Sequence, residues 1–433
     1  MQADHTAVEA SAMRKIGSRI LPFLGLLYFA AFIDRSNISF AAPTMNHELG
    51  FSAYVYGLGA GIFFIGYFLF EVPSNLILHR IGARRWISRI MMTWALVAAA
   101  MALINGPLAY YATRFLLGAA EAGFFPGVVY YLTYWAPAQR RARMIGLFMT
   151  AIAISTAIGG PLSSLVLKMD GVWHIAGWRW LFLMEAVPSL ILGAATLFWL
   201  PDRPQDARWL TVEEKAWLAE SLAAEAAQGP KIRVKSLDGL LDPMILILSL
   251  GYFGVEIGLY GVILWIPQIL TAAGVPSALA GYITAIPYAI AAVAMVWWGR
   301  HSDRSNERPR HIAAAAFVGA AGLAASGWLV HAPWLSVAAI AFGAAGTLTV
   351  LPIFWTLPAA RLRGAAAAGG IALINAVGNI GGFVGPYAVG WIKSATGDFR
   401  YGLMVLAAGV LATGLVALAV GPFLAPKAGR KVV

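Results

Sequence analysis

The sequence contains no cysteine, which excludes disulfides, thiolate metal sites and cysteine nucleophiles. Charge is scarce as well. Only 12% of the 433 residues are Asp, Glu, Lys or Arg, and 60% are hydrophobic, against about 25% charged and 45–50% apolar in soluble domains. The 31 basic and 20 acidic side chains cannot cover the surface of a soluble protein this long, so a soluble enzyme is excluded. No G-x-x-x-x-G-K-[ST] loop occurs, which rules out an ATP-driven pump in cis. There is no H-E-x-x-H, nucleophile elbow or paired-histidine motif, and the 7 His residues are scattered. No catalytic set, cofactor motif or metal site is therefore expected. The N-terminus carries no cleavable signal core, because residues 1–19 are polar and the first apolar run, from Ile20 to Ala42, is too long for one.

What the chain has instead is long hydrophobic runs. A bilayer core needs about 20 helical residues, and twelve windows supply them: 20–42, 55–78, 86–104, 108–134, 144–167, 179–200, 243–270, 278–299, 311–330, 334–356, 366–392 and 401–424. The ninth and tenth are separated only by His331, Ala332 and Pro333. In a soluble protein a net charge of +11 would suggest nucleic acid; here it first suggests basic cytoplasmic loops. Alternate loops hold 25 of the 31 basic residues, while the opposite side has only Lys168, Arg179, Lys393 and Arg400. The positive-inside rule then places both termini and the long central loop in the cytoplasm.

That loop divides the chain into an N-terminal six-helix bundle (1–200), a cytoplasmic segment (201–241) and a C-terminal six-helix bundle (242–433). Within it, Thr211 to Ala227 has helical spacing and reads as an amphipathic surface helix. The halves look like repeats. Asn75 and Gly299 open matching loops, Pro161 and Pro386 close matching Gly-Pro steps, and the two pairs are offset by nearly the same interval. Transporters are commonly built from such halves, with substrate held near midplane.

The loop residues Gly299, Asp303, Arg304 and Arg308 resemble the G-x-x-x-D-R-x-x-x-R signature of the major facilitator superfamily. The resemblance implies an all-α membrane fold of twelve transmembrane helices in two pseudosymmetric six-helix bundles. It also implies a gate in which an Asp at a helix end pairs with cytoplasmic Arg groups. The first-half copy has Asn75 for the Gly and His79 for the Asp, and keeps Gly82, Arg84 and Arg85. The expected gating residues are Gly82, Arg84, Arg85, Gly299, Asp303 and Arg304. Four strings, YFAAFIDRSNISF from Tyr28, GYFLFEVPSNL in the second span, RFLLGAAEAGFFPGVVYYLTY from Arg114, and FWTLP with INAVGNIGGFVGPY after Pro352, resemble the anion:cation symporter family, particularly its bacterial phthalate and tartrate permease branch. That branch implies a cytoplasmic (inner) membrane protein that takes up small organic anions with protons.

Ionised groups at the bilayer centre cost about 2.5–3.5 kcal/mol, so each is expected to be paired, wetted or functional. Asp34, Arg35, Glu71, Arg114, Glu121, Glu185 and Glu256 are the candidates. Arg35 is the expected substrate ligand, since its fork matches a carboxylate and the resemblance gives that role to the Arg of the DR pair. Arg114 lies seven residues from Glu121, about 10.5 Å along the helix, so each must look across to another helix or to the cavity. Arg114 is divided between substrate binding and a structural partner. Glu121 is the expected proton carrier, by its cavity position and by the resemblance, with Asp34 second. Tyr67 and Asn375 fall where the resemblance implies substrate contact. Asn379 and the stripe Tyr252, Glu256, Tyr260 are divided between cavity lining and interhelical hydrogen bonding, and Glu71, just before Pro73 near the inner end of its helix, is read as a gate or structural carboxylate rather than a substrate ligand.

The expected function is a proton-coupled secondary transporter that imports a small organic carboxylate by alternating access. Its partners would be the carboxylate, protons and the lipid bilayer, with no nucleic acid, and it is expected to act as a monomer. A proton-driven efflux antiporter for drugs or organic cations is the alternative, and two intramembrane arginines favour the anion.

Overall fold

A computed structural model describes residues 2–228, 242–305, 307–329, 332–361 and 364–424. Among them every regular element is helical. The elements are α1 (Gln2–Arg19), α2 (Leu21–Leu49), α3 (Ala53–Ile81), α4 (Ala83–Ala100), α5 (Pro107–Glu121), α6 (Phe124–Leu132), α7 (Ala138–Leu167), α8 (Gly177–Trp199) and α9 (Val212–Gln228). They continue with α10 (Pro243–Ala272), α11 (Ser277–Ser305), α12 (Arg308–Trp328), α13 (Pro333–Phe354), α14 (Thr356–Arg361), α15 (Gly364–Thr396) and α16 (Arg400–Leu424). Twelve stretches are long and apolar enough to span a bilayer, and they fall on the twelve expected windows.

Local chemistry sets the boundaries. Ser52 caps α3 by accepting from Val55 N at 3.2 Å. Asp242 caps α10 by accepting from Met244 N at 2.7 Å, just ahead of Pro243. Gly50 ends α2 at φ 67°, a left-handed turn that a side chain would disfavour. The ninth and tenth spans part where expected, α12 stopping at Trp328 and α13 starting on Pro333.

The contacts divide the chain into two units, residues 1–229 with 275–285, and residues 230–274 with 286–433. In the first, α2 packs on α7, α3 on α5, and α4 on α8. In the second, α10 packs on α15 and α12 on α16. The first span of each half thus pairs with the fifth, and the third with the sixth, as expected of a duplicated bundle. Glycine sets the closest crossings: a Cβ on Gly66 would overlap the Phe115 carbonyl, and one on Gly118 the Phe63 carbonyl. Lipid supplies no hydrophobic drive between helices, so such backbone approach is a main source of cohesion.

Two features were not read from the sequence. Residues 2–19, polar in the sequence, form α1, whose Ala12 and Ile16 are fully buried, and α1 packs against α9. α9 is the expected amphipathic helix, opened by a reciprocal capping box: Thr211 N donates to Glu214 Oε2 at 2.9 Å, and Glu214 N donates to Thr211 Oγ1 at 3.3 Å. Glu214 also accepts from Ser11 Oγ at 2.7 Å and pairs with Lys15 Nζ at 2.8 Å. Burial raises the Glu214 carboxyl, but the Lys15 ammonium, the Thr211 amide and the Ser11 hydroxyl together bring it below the ordinary range. The remainder of the central segment, 229–241, lies outside the described residues.

The second feature is in the fourth span, which is broken. α5 stops at Glu121, Gly123 turns at φ 87°, and α6 starts at Phe124. The string Gly123, Phe124, Phe125, Pro126 explains it. Pro126 has no N–H to give the preceding turn, and only glycine adopts the left-handed corner freely.

Candidate functional site

The broken span brings Glu121 to the end of α5, directly before the glycine corner, where it is 3% exposed. Arg35, from the middle of α2, donates Nη2 to Glu121 Oε1 in a buried ion pair. The guanidinium carbon lies 5.2 Å from the ring centres of Phe32 and Phe63 and 5.6 Å from that of Tyr67. A cation enclosed by three aromatic rings keeps cation–π stabilisation when its carboxylate leaves. Tyr67, predicted to touch substrate, is therefore against Arg35.

Arg114 is 1% exposed and so does not snorkel. Its Nε and Nη2 donate to the carbonyls of Gly59 and Ala60 on α3, each at a long 3.4 Å, and its guanidinium lies 5.0 Å from the Phe63 ring centre. Phe63 is thus within cation–π range of two guanidiniums, one bonded to a carboxylate and one to backbone. As their spacing demanded, Arg114 and Glu121 do not bond each other but reach to different helices.

Asp34 turns away from its neighbour Arg35. Its Oδ2 accepts from Trp94 Nε1 at 2.9 Å on α4 and from Ser189 Oγ on α8. Adjacency in sequence does not make an ion pair on a helix, where consecutive side chains point about 100° apart. Glu185, on α8 one turn before Ser189, accepts from Ser163 Oγ at 2.7 Å.

In the second unit, Asn375 and Asn379 are half-buried on α15. Gly378 lies between them, and a Cβ there would overlap the Tyr252 ring. Tyr252, Glu256 and Tyr260 are all buried on α10, and Tyr252 stacks on Phe354 with ring centres 5.3 Å apart.

At the loop motifs, Asp303 pairs with Arg308 at 2.9 Å. In the first-half copy, where His79 replaces the Asp, Asp202 supplies a carboxylate from beyond α8. It accepts from Arg84 N at 3.1 Å and pairs with Arg84 Nε at 3.2 Å, and it lies 3.2 Å from where a Cβ on Gly82 would stand. Arg85, Arg300 and Arg304 are exposed, and Gly299 has open space around it. Asp202 was missed because no local pattern ties it to a loop 118 residues earlier. A histidine pair was missed too. His301 Nδ1 and His311 Nε2 lie 2.7 Å apart, with Trp298 stacked on His301, although the two are ten residues apart and on different helices.

Twelve apolar spans, with two guanidiniums and three carboxyls buried inside those of the first unit, define a multi-pass membrane protein. Residues 24–386 match the model of the Major Facilitator Superfamily, and the chain belongs to that superfamily. It is 50% identical over 379 residues to a provisionally named tartrate transporter of Agrobacterium vitis, covering 88% of this chain and 84% of the relative. It is 43% identical to a quinolone resistance transporter of Acinetobacter baumannii, covering 88% of each. Among solved structures it resembles the Escherichia coli xylose transporter XylE in an inward-open conformation, with a TM-score of 0.75 at 16% identity over 96% of this chain and 98% of that one. That likeness concerns the fold alone.

Proposed function

We propose that the protein imports a small organic carboxylate together with protons across the cytoplasmic membrane by alternating access, with both termini in the cytoplasm. The observation that carries this reading is the buried Arg35–Glu121 pair. An uncompensated guanidinium inside a membrane protein is costly, so Arg35 holds a carboxylate at every stage. In the empty carrier that carboxylate is Glu121. When Glu121 takes up a proton it releases the guanidinium, and the substrate carboxylate takes its place, where the fork can hold it in a bidentate way. Proton and anion therefore load together, and deprotonation of Glu121 expels the anion. Tyr67, Arg114 and Asn375 supply further polar contacts. The charged loop residues Arg84, Asp303 and Arg304 act as the gate.

The relative in Agrobacterium vitis supports a hydroxydicarboxylate as a member of the substrate class. The quinolone resistance relative favours a second reading, proton-driven efflux. A quinolone itself bears a carboxylate, so Arg35 suits either cargo and direction separates the two. The test is a panel of radiolabelled carboxylates in proteoliposomes with an imposed pH gradient. Uptake toward the alkaline compartment supports import with protons. Accumulation toward the acidic compartment, or none for any carboxylate, would overturn it.

A further inference from the structure

Glu185 has no part in the scheme above, yet it is 4% exposed inside the first bundle. Four helices converge on it and on Asp34. α8 contributes Glu185 and, one turn on, Ser189, which donates to Asp34 Oδ2; α7 contributes Ser163, which donates to Glu185 Oε1 at 2.7 Å. α4 contributes Trp94, which donates to Asp34 at 2.9 Å. Asn37, three residues along α2 from Asp34, stands beside Glu185 and is 1% exposed. Its amide is close enough to Glu185 to favour the carboxylate, while among the described residues Asp34 Oδ1 has no hydrogen-bond partner. Asn37 and Ser189 thus link the two carboxyls through neighbouring polar groups, and one oxygen of Asp34 is left open to accept a proton.

No lysine or arginine among the described residues forms an ion pair with Glu185 or Asp34; Arg35 goes to Glu121. Asp34 is the titratable group facing Glu185, and Glu121 is the next one facing Asp34, while among the described residues α4 and α7 present Trp94 and Ser163, neither of them ionisable. Two carboxyls without a cation cannot both be ionised, so the pair holds at least one proton. Glu185 also lies to one side of Asp34. The end of α8 nearer to it meets the end of α2, where Trp178 Nε1 donates to Glu48 at 2.7 Å.

We propose that Glu185 relays protons to Asp34 from the face of the membrane at which Glu48 and Trp178 meet. Glu185 gives up its carboxyl proton and becomes the carboxylate, Asp34 becomes the neutral acid until it passes the proton on to Glu121, the next carboxyl facing it, and Glu185 is recharged from water at that face. This inference rests on proton coupling. Glu185→Gln keeps size and the Ser163 bond but carries no proton, whereas Glu185→Asp keeps the proton and shortens the reach. A structural role tolerates Gln better than Asp; a relay does the reverse. In proteoliposomes, Glu185→Gln is expected to slow pH-driven accumulation at least tenfold while substrate counterflow stays within twofold of wild type. Glu185→Asp is expected to recover at least half of the accumulation rate. Accumulation by Glu185→Gln at the wild-type rate and pH dependence, or loss of its counterflow, would overturn the relay. If wild-type protein itself shows no pH-driven accumulation, the coupling reading fails, and this result is distinct because it precedes any variant.

Discussion

Arg35 and Glu121 are bound to each other in the structure, so the two roles expected of them separately from sequence are joined in the proposed exchange. The consequences differ for the two side chains. Arg35→Lys retains charge for Glu121 but loses the fork, and binding of the anion is expected to weaken by at least tenfold in equilibrium binding. Wild-type affinity in that variant would remove Arg35 from the site. Glu121→Gln mimics the protonated acid and leaves the guanidinium uncontested. Substrate should then bind as tightly as in wild type or more tightly, and labelled substrate should still exchange across the membrane. Net accumulation should fail, because return of the empty carrier needs a carboxylate to take back Arg35. If this variant accumulated substrate with an unchanged dependence on external pH, coupling would lie with Asp34 and Glu185 instead.

At the scale of single elements, hydrophobic length made all twelve spans legible, since lipid exposure demands an apolar helix wherever the chain crosses. The same apolar measure could not reveal the corner at Gly123, because a broken and an unbroken span have the same hydrophobicity. The information was in Gly123 and Pro126, three residues apart, and it bears on the site because Glu121 ends the helix before the corner. Gly123→Ala would place a residue with a Cβ at φ 87° and against the Ser74 hydroxyl, a strain of about 1–2 kcal/mol from the backbone alone. A lower thermal midpoint and reduced uptake are the expected results, read by scanning fluorimetry and transport. α1 escaped for the opposite reason: a short amphipathic helix with few apolar residues is visible only once its partner α9 is known. Its anchor, Glu214, is held below the ordinary carboxylate range, so the stabilisation is fully present above the unfolded pKa of about 4.3 and is lost as pH falls through the lower folded value. Amide exchange should therefore show α1 protected near neutral pH and loosened in acid, and Glu214→Gln should loosen it at both. Equal protection of α1 in that variant would show that the Lys15 and Ser11 bonds do not hold it.

For the whole molecule, duplication was readable from landmarks a fixed interval apart, because the paired spans of each half must keep the same packing to bury the same faces. Side-chain partners across that distance were not readable. Asp202 completes the first-half loop from far along the chain, as His311 meets His301 across two helix ends. Orientation rests on charge, and it is open to a direct test. With 25 basic residues on one set of loops and 4 on the other, a bilayer whose insertion retains Lys and Arg on the cytoplasmic side leaves one arrangement strongly favoured. The chain has no native cysteine, so single cysteines report position without background. Ser221→Cys, on α9, should react with an impermeant maleimide only when the cytoplasmic face is open to it. Ser394→Cys, exposed near the end of α15, should react in intact cells. The two sites are separated by an odd number of spans, five, so they must label from opposite faces whichever way the protein inserts. Labelling of both from one face would refute the span assignment, and a swapped pattern would refute the orientation alone.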